Sequence, residues 1–132
     1  MLLTDNQGLP LSVSVAAASK AEVHLIEPLL NRAVVRPPRP SHLLYDKAAD
    51  CERLRRRLAR RRLHLICPHR RNSKRPPLDG RKMRRYRQRW KIERSIGWLE
   101  TYRRVATRYE RNADLFLGFV QLACLIRVIT KF

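Results

Sequence analysis

The stretch LLTDNQGLPLSVSV, residues 2–15, puts β-strands in this protein. Leu9, Leu11, Val13 and Val15 fall on one side of a strict alternation, with Ser12 and Ser14 on the other. A period of two with one apolar side is the mark of a half-buried strand. Residues 2–5 read as the end of a preceding strand, and Asn6, Gln7 and Gly8 as a hairpin turn in which Gly8 supplies a positive φ. A strand that begins at Met1 and turns back at once suggests a partner strand ahead of it.

Working outward, Ser19 is placed to cap a helix running to about Arg32, with Val23, Ile26, Leu29 and Leu30 as its apolar stripe. Pro28 lies inside that span, so the helix is either kinked or late in starting. RPPRP (36–40) is a stiff linker. SHLLYD (41–46) reads as a short buried strand ending in a carboxylate. DCERLRRRLARRR (50–62) is a helix capped by Asp50, with Cys51, Leu54 and Leu58 inward and arginines outward. LHLIC (63–67) is a further strand, 68–80 a basic proline-rich loop, and about 82–107 a long helix. Asn112 caps a last helix whose Leu115, Phe116, Phe119, Leu122, Ala123 and Ile126 face a core. This order predicts an α/β fold, a mixed sheet with flanking helices.

The chain has 132 residues, 44% of them hydrophobic, and a formal net charge of +19. That length suits one domain with a real core. The charge is unevenly spread. Residues 1–50, the neutral sheet part, balance acids and bases; 51–111 hold 23 basic and five acidic side chains; 112–132 are a mostly apolar helix. A basic block on a neutral base points to a polyanion, and nucleic acid leads because neutralised phosphates release counterions. A membrane partner fits less well: 115–130 is short of a span and contains Gln121 and Arg127. No basic-then-apolar leader opens the chain, so no signal peptide is expected. Cys51, Cys67 and Cys124 are odd in number and without framework spacing, which predicts free thiols in a reducing compartment.

Two acids could carry chemistry. Asp46 falls where a buried strand ends, the usual place for a site in an open α/β sheet. Glu93 follows Tyr86 by seven residues and Arg89 by four, spacings that share a helix face, beside an apolar line of Ile92, Ile96 and Leu99. Two carboxylates in a basic groove suit Mg²⁺, which takes hard oxygen ligands and lets phosphate complete its shell. A pair of such ions about 4 Å apart serves phosphodiester chemistry. The competing reading has Glu93 paired with Arg89 and Asp46 capping the turn at 46–50. Cys51, His64, Cys67 and His69 have no common zinc spacing. Trp90 and Trp98 either stack on bases or pack on the sheet, Cys124 reads as core, and the arginines of 53–62 either face solvent or meet DNA.

YRQRWKIER, Tyr86 to Arg94, resembles the Y-x2-R-x3-E signature of bacterial insertion-sequence transposases with the DDE triad. DNQGLPLSVSVAAASKAEVHLIEPLL resembles the block after that family's first catalytic Asp, LLYDKAADCERLRRRLARRRLHLICPHR the second-Asp block, and RSIGWLETYRRVATRYERNADLFLGFVQLACLIRVI the tail of the Glu block. The resemblance implies an RNase H-like domain over 1–132 that lacks its first strand. It also implies DNA transposition with Mg²⁺ (or Mn²⁺), catalytic and metal-holding Asp46 and Glu93, and DNA contacts from Tyr86, Arg87, Arg89, Lys91, Arg103, Arg104, Arg70 and Arg71. Ala49 and Glu100 depart from the family pattern, where Tyr and Lys are usual. The first catalytic Asp is expected upstream of Met1; Asp5 matches the block's own Asp. The implied partners are element-end and target DNA, with another copy or an upstream transposase segment, in a bacterial cytoplasm at the nucleoid. The alternative is a non-catalytic, truncated transposase that binds DNA as an inhibitor or inactive remnant.

Overall fold

A computed structural model describes residues 1–131 except 34, 36, 37, 39, 70, 74 and 75. The elements in order are β1 (Leu2–Thr4), β2 (Pro10–Val13), α1 (Ile26–Arg32), β3 (Ser41–Leu44), α2 (Glu52–Arg60), β4 (Leu63–Ile66), α3 (Gly80–Tyr86), α4 (Trp90–Glu100), α5 (Arg103–Ala106) and α6 (Ala113–Ile129). They form two compact units, Met1–Arg36 with Trp90–Phe132, and Pro37–Arg89. The strands and helices are those of an α/β protein. Among the described residues the strands form, in place of one mixed sheet, an antiparallel pair, β1–β2, and a parallel pair, β3–β4, one in each unit.

In the first unit the hairpin forms as its sequence dictates. Leu2 pairs with Val13 and Leu3 with Ser12, and a bulge precedes the pairing of Thr4 with Pro10. Asp5 Oδ1 accepts the amides of Gln7 and Leu9, both at 2.8 Å, and Gly8 takes φ +89°. Pro10, without an N–H, is tolerated as the first residue of its strand. α1 starts late: a 3₁₀ turn at Glu22–His24 precedes it, Leu25 and not Ser19 occupies the N-cap, and Pro28 becomes its third residue. An amide in the first turn has no intrahelical acceptor to lose, so Pro28 costs little there.

The expected helix over 82–107 is three helices, with a 3₁₀ turn at Arg87–Arg89 and a break at Thr101–Tyr102. Arg84, Arg85, Arg87 and Arg89 place like charges three and four residues apart, which weakens an α-helix at the first interruption. At the second, Thr101 Oγ1 donates to the Trp98 carbonyl at 2.7 Å and Tyr102 takes ψ 112°. The bend lets Tyr102 and Val105 both pack on the cluster of Leu99, Val120, Ala123 and Cys124, with Leu2, Val13 and Phe116.

α6 is capped by Asn112 as expected, its Oδ1 accepting the Asp114 amide at 2.8 Å, but its buried face differs from the expected one. Val120, Ala123 and Cys124 are buried, while Leu115, Leu122 and Ile126 are exposed. A helix apolar nearly all round has no pattern to choose its inner face, so its neighbours choose.

The second unit is a β3–α2–β4 crossover in register Ser41 with Leu63 through Leu44 with Ile66. Leu54 and Leu58 on α2 are fully buried with Ala49, Ile66 and Cys67. Cys51, not Asp50, sits at the α2 N-cap, and its side chain makes no capping bond. At the other end Arg62 is left-handed, φ 55°, with its amide on the Ala59 carbonyl at 2.8 Å. That is the position where helices ordinarily place glycine, and a side chain there costs roughly 1–2 kcal/mol. The Ser41 amide donates to the Arg62 carbonyl at 3.1 Å, tying this end of α2 to the start of β3.

Candidate functional site

Asp46 closes β3. The ladder runs one residue past the strand, the Tyr45 amide donating to the Ile66 carbonyl at 3.0 Å, and then the chain turns. Asp46 Oδ1 accepts the Ala48 amide at 2.8 Å and so caps a 3₁₀ turn at Lys47–Ala49. The capping role weighed in the sequence is therefore real. It does not exhaust the group, because a carboxylate offers about four acceptor positions. Asp46, Lys47, Ala48 and Arg71 line an open hollow of about 360 Å³. One carboxylate between two cations suits an anionic ligand that brings its own counter-charge better than a bare cation. Arg70, also expected to meet DNA, lies outside the described residues, as do Lys74 and Arg75.

Beyond the turn, Asp50 is fastened down. Its Oδ1 lies 3.0 Å from Arg55 and 3.2 Å from His69 Nδ1. Arg55 also donates to the Leu65 carbonyl at 2.9 Å, the Cys67 carbonyl at 3.4 Å and the Cys67 sulfur at 2.9 Å. Burial pushes the Cys67 thiol up to about 11; Asp50 and Asp46 add to the rise and Arg55 opposes it. This knot was not anticipated, though the sequence carried its signal. With Cys51, Leu54 and Leu58, Arg55 completes an i, i+3, i+4, i+7 stripe, so it had to turn inward and find acceptors.

The four residues weighed for zinc go separate ways: Cys67 to Arg55, His69 to Asp50, Cys51 to the α2 N-cap, and His64 against His42 with ring centroids 5.6 Å apart. Arg85 bonds His42 Nε2, and partial burial, Arg85 and His64 together lower the His42 pKa. No group of three or more His, Cys, Asp or Glu suited to a metal occurs among the described residues. Tyr86 and Arg89 meet, Arg89 donating to the Tyr86 hydroxyl at 3.3 Å, and Arg87 is exposed.

Glu93 is exposed in the first turn of α4. The 3₁₀ turn at Arg87–Arg89 falls between it and Tyr86, so the 3.6-residue phase does not run unbroken through the three. The neighbouring face of α4 grips the hairpin turn. Lys91 Nζ donates to the Asn6 carbonyl at 2.8 Å, and Ser95 Oγ to the Gly8 carbonyl at 2.6 Å. The buried line is thus Ser95 and Leu99, and Ile96, expected inside, is exposed. Trp90 and Trp98 each lie 4.7 Å from the Arg94 guanidinium, and Arg127 covers Trp98 at 3.5 Å. Arg104 pairs with buried Glu110 at 2.9 Å, and Arg103 is exposed beside it. Burial would raise the Glu110 pKa, but its own backbone amide, Arg104 and the Tyr109 amide bring it below the usual value.

A family model described as "Transposase DDE domain" matches residues 1–128. The "Putative transposase for insertion sequence element IS402" of Burkholderia cepacia is 31% identical over 133 residues, 93% of this chain and 58% of that protein. The "Putative transposase for insertion sequence element IS6501" of Brucella ovis is 35% identical over 83 residues, 63% of each chain. This chain therefore spans about three-fifths of the length of these relatives. No solved structure matches. No helix among the described residues is long and apolar enough to cross a membrane.

Proposed function

From the premise that this chain belongs to the transposase DDE-domain family, we propose that it is the part of an insertion-sequence transposase that holds DNA ends and carries two of the metal-holding carboxylates, Asp46 and Glu93. The observation that carries this reading is Asp46 at the end of β3, in an open hollow it shares with Lys47 and Arg71. Both acids offer hard oxygen donors, as Mg²⁺ or Mn²⁺ requires, and both are accessible. Such an ion supplies Lewis-acid activation of water and of a 3′-hydroxyl. Lys47 and Arg71 neutralise the phosphate that enters the hollow. Arg70, Arg87, Arg89, Tyr86 and exposed Arg103 position the duplex. Lys91 and Arg104 already serve internal contacts and contribute less.

Asp5 is not the third ligand in this reading, because the Gln7 and Leu9 amides on its Oδ1 fix the carboxylate within the hairpin turn. A third acid then comes from an upstream transposase segment or from another copy. The same observation favours the second reading, a DNA-binding inhibitor or remnant without catalysis. The test is nicking of element ends in Mg²⁺ by this chain joined to the upstream segment of a relative. The expected outcome is nicking that Asp46→Asn and Glu93→Gln each abolish while DNA affinity holds. Nicking unaffected by either change would overturn the assignment, and no nicking in any fusion, with DNA binding intact, would establish the second reading.

A further inference from the structure

α2 turns its two leucines inward and uses Arg55 to fasten β4. Arg53, Arg56 and Arg60 are left on the exposed side, three and seven residues apart from the first. At 1.5 Å per residue they span about 10 Å, the axial rise of three nucleotide steps on one DNA strand. Like charges at these spacings repel, so a fold-only role would be better served by a mixed-sign face. Glu52 does pair with Arg56 at 3.1 Å, but both side chains are exposed, and such a pair yields readily to a phosphate.

Arg62 supplies a second, independent observation. It stands in the left-handed position just past α2, where glycine is the unstrained residue, and is exposed. A cation stands there against the preference of the backbone. Its carbonyl is tied to Ser41 at the start of β3, whereas Asp46 lies at that strand's end, about 16 Å away along the strand. The basic face therefore reaches beyond the hollow at Asp46.

We propose that Arg53, Arg56, Arg60 and Arg62 form a docking surface for the phosphate backbone of duplex DNA, read without regard to base sequence. This rests on the reading that the chain binds DNA, and adds the surface that does so away from the two carboxylates. The chain's affinity for a random-sequence duplex, measured against salt concentration, tests it. Replacing Arg53, Arg56 and Arg60 together by Gln is expected to lower the slope of log affinity against log salt by about three. Arg62→Gly is expected to lower it by about one while raising the melting temperature, opposite signs that a structural role cannot produce. A slope unchanged in both variants overturns the docking surface and leaves the proposed function standing. Absence of any duplex binding by the wild-type chain overturns both.

Discussion

Residues 37–89 carry nineteen basic side chains against four acidic ones, while the other unit carries eleven against seven. The two groups of cations are also employed differently. In the unit formed by 1–36 and 90–132, Lys91 holds the hairpin, Arg94 and Arg127 cover tryptophans, Arg104 neutralises Glu110, and Arg108 donates to the Glu110 carbonyl at 2.8 Å. In the unit 37–89, Arg55 turns inward, but Arg53, Arg56, Arg60, Arg62, Arg84 and Arg87 are displayed. Arginine density by itself therefore does not locate a polyanion surface. On the reading proposed above, such a surface lies where guanidiniums remain displayed after the fold has taken its share.

If the two units are independent, a lesion in one core leaves the other standing. Leu54→Ala empties a fully buried position in the small β3–α2–β4 core and is expected to cost about 2–5 kcal/mol. Calorimetry should show one transition lowered and the other unmoved; a single transition shifted as a whole would mean the two units unfold as one. Next in size is Gly8→Ala in the other unit. The residue has φ +89°, and a Cβ there would stand 2.8 Å from Ser95 Oγ and 3.3 Å from the Lys91 carbonyl. A loss of about 1–3 kcal/mol is expected. Gly8→Ala with Ser95→Ala should recover part of it by removing the steric share, and a cycle that shows pure additivity would contradict the clamp.

A further difference between the units is read by pH. Burial holds the Cys67 thiol protonated to about 11, above an unfolded value near 8.5. Below about pH 8.5 both states bind the proton and stability is flat. Above it the unfolded chain ionises first, so stability falls until the folded thiol also titrates. Cys67→Ala should flatten that fall in the transition of the unit 37–89. Burial raises Cys124 as well, so a decline with rising pH should persist in the other transition.

The sequence makes some of this legible and hides the rest for identifiable reasons. The β1–β2 turn, the strands at 41–46 and 63–67, and the Asn112 cap follow from local chemistry: a glycine able to take positive φ, short apolar runs bounded by turn residues, an amide-accepting side chain. That the two strands pair in parallel is seen only in the fold. The buried face of α6 does not, because Leu115, Leu122 and Ile126 are as apolar as Val120 and Cys124, and only packing distinguishes them. The break at Thr101 depends on a hydroxyl turning back onto a carbonyl, an event that helical periodicity cannot report. Asp46's place just past a strand was legible. Its capping duty left two readings open, and the Arg55 knot behind it needed the stripe to be read with its one charged member included.

The face of α6 that packing left outside has a practical consequence. Leu115, Leu122, Leu125 and Ile129, each more than half exposed, follow one another at seven, three and four residues along a single side of the helix. Strong salt is the ordinary means of stripping nucleic acid from so basic a protein, since it collapses the counterion gain. Sulfate or phosphate at such strength also drives apolar surfaces together. Under the DNA binding proposed above, the purified chain is expected to have a middle range of ionic strength, below which DNA stays bound and above which the exposed α6 faces associate, with chloride a safer choice than sulfate for the upper edge.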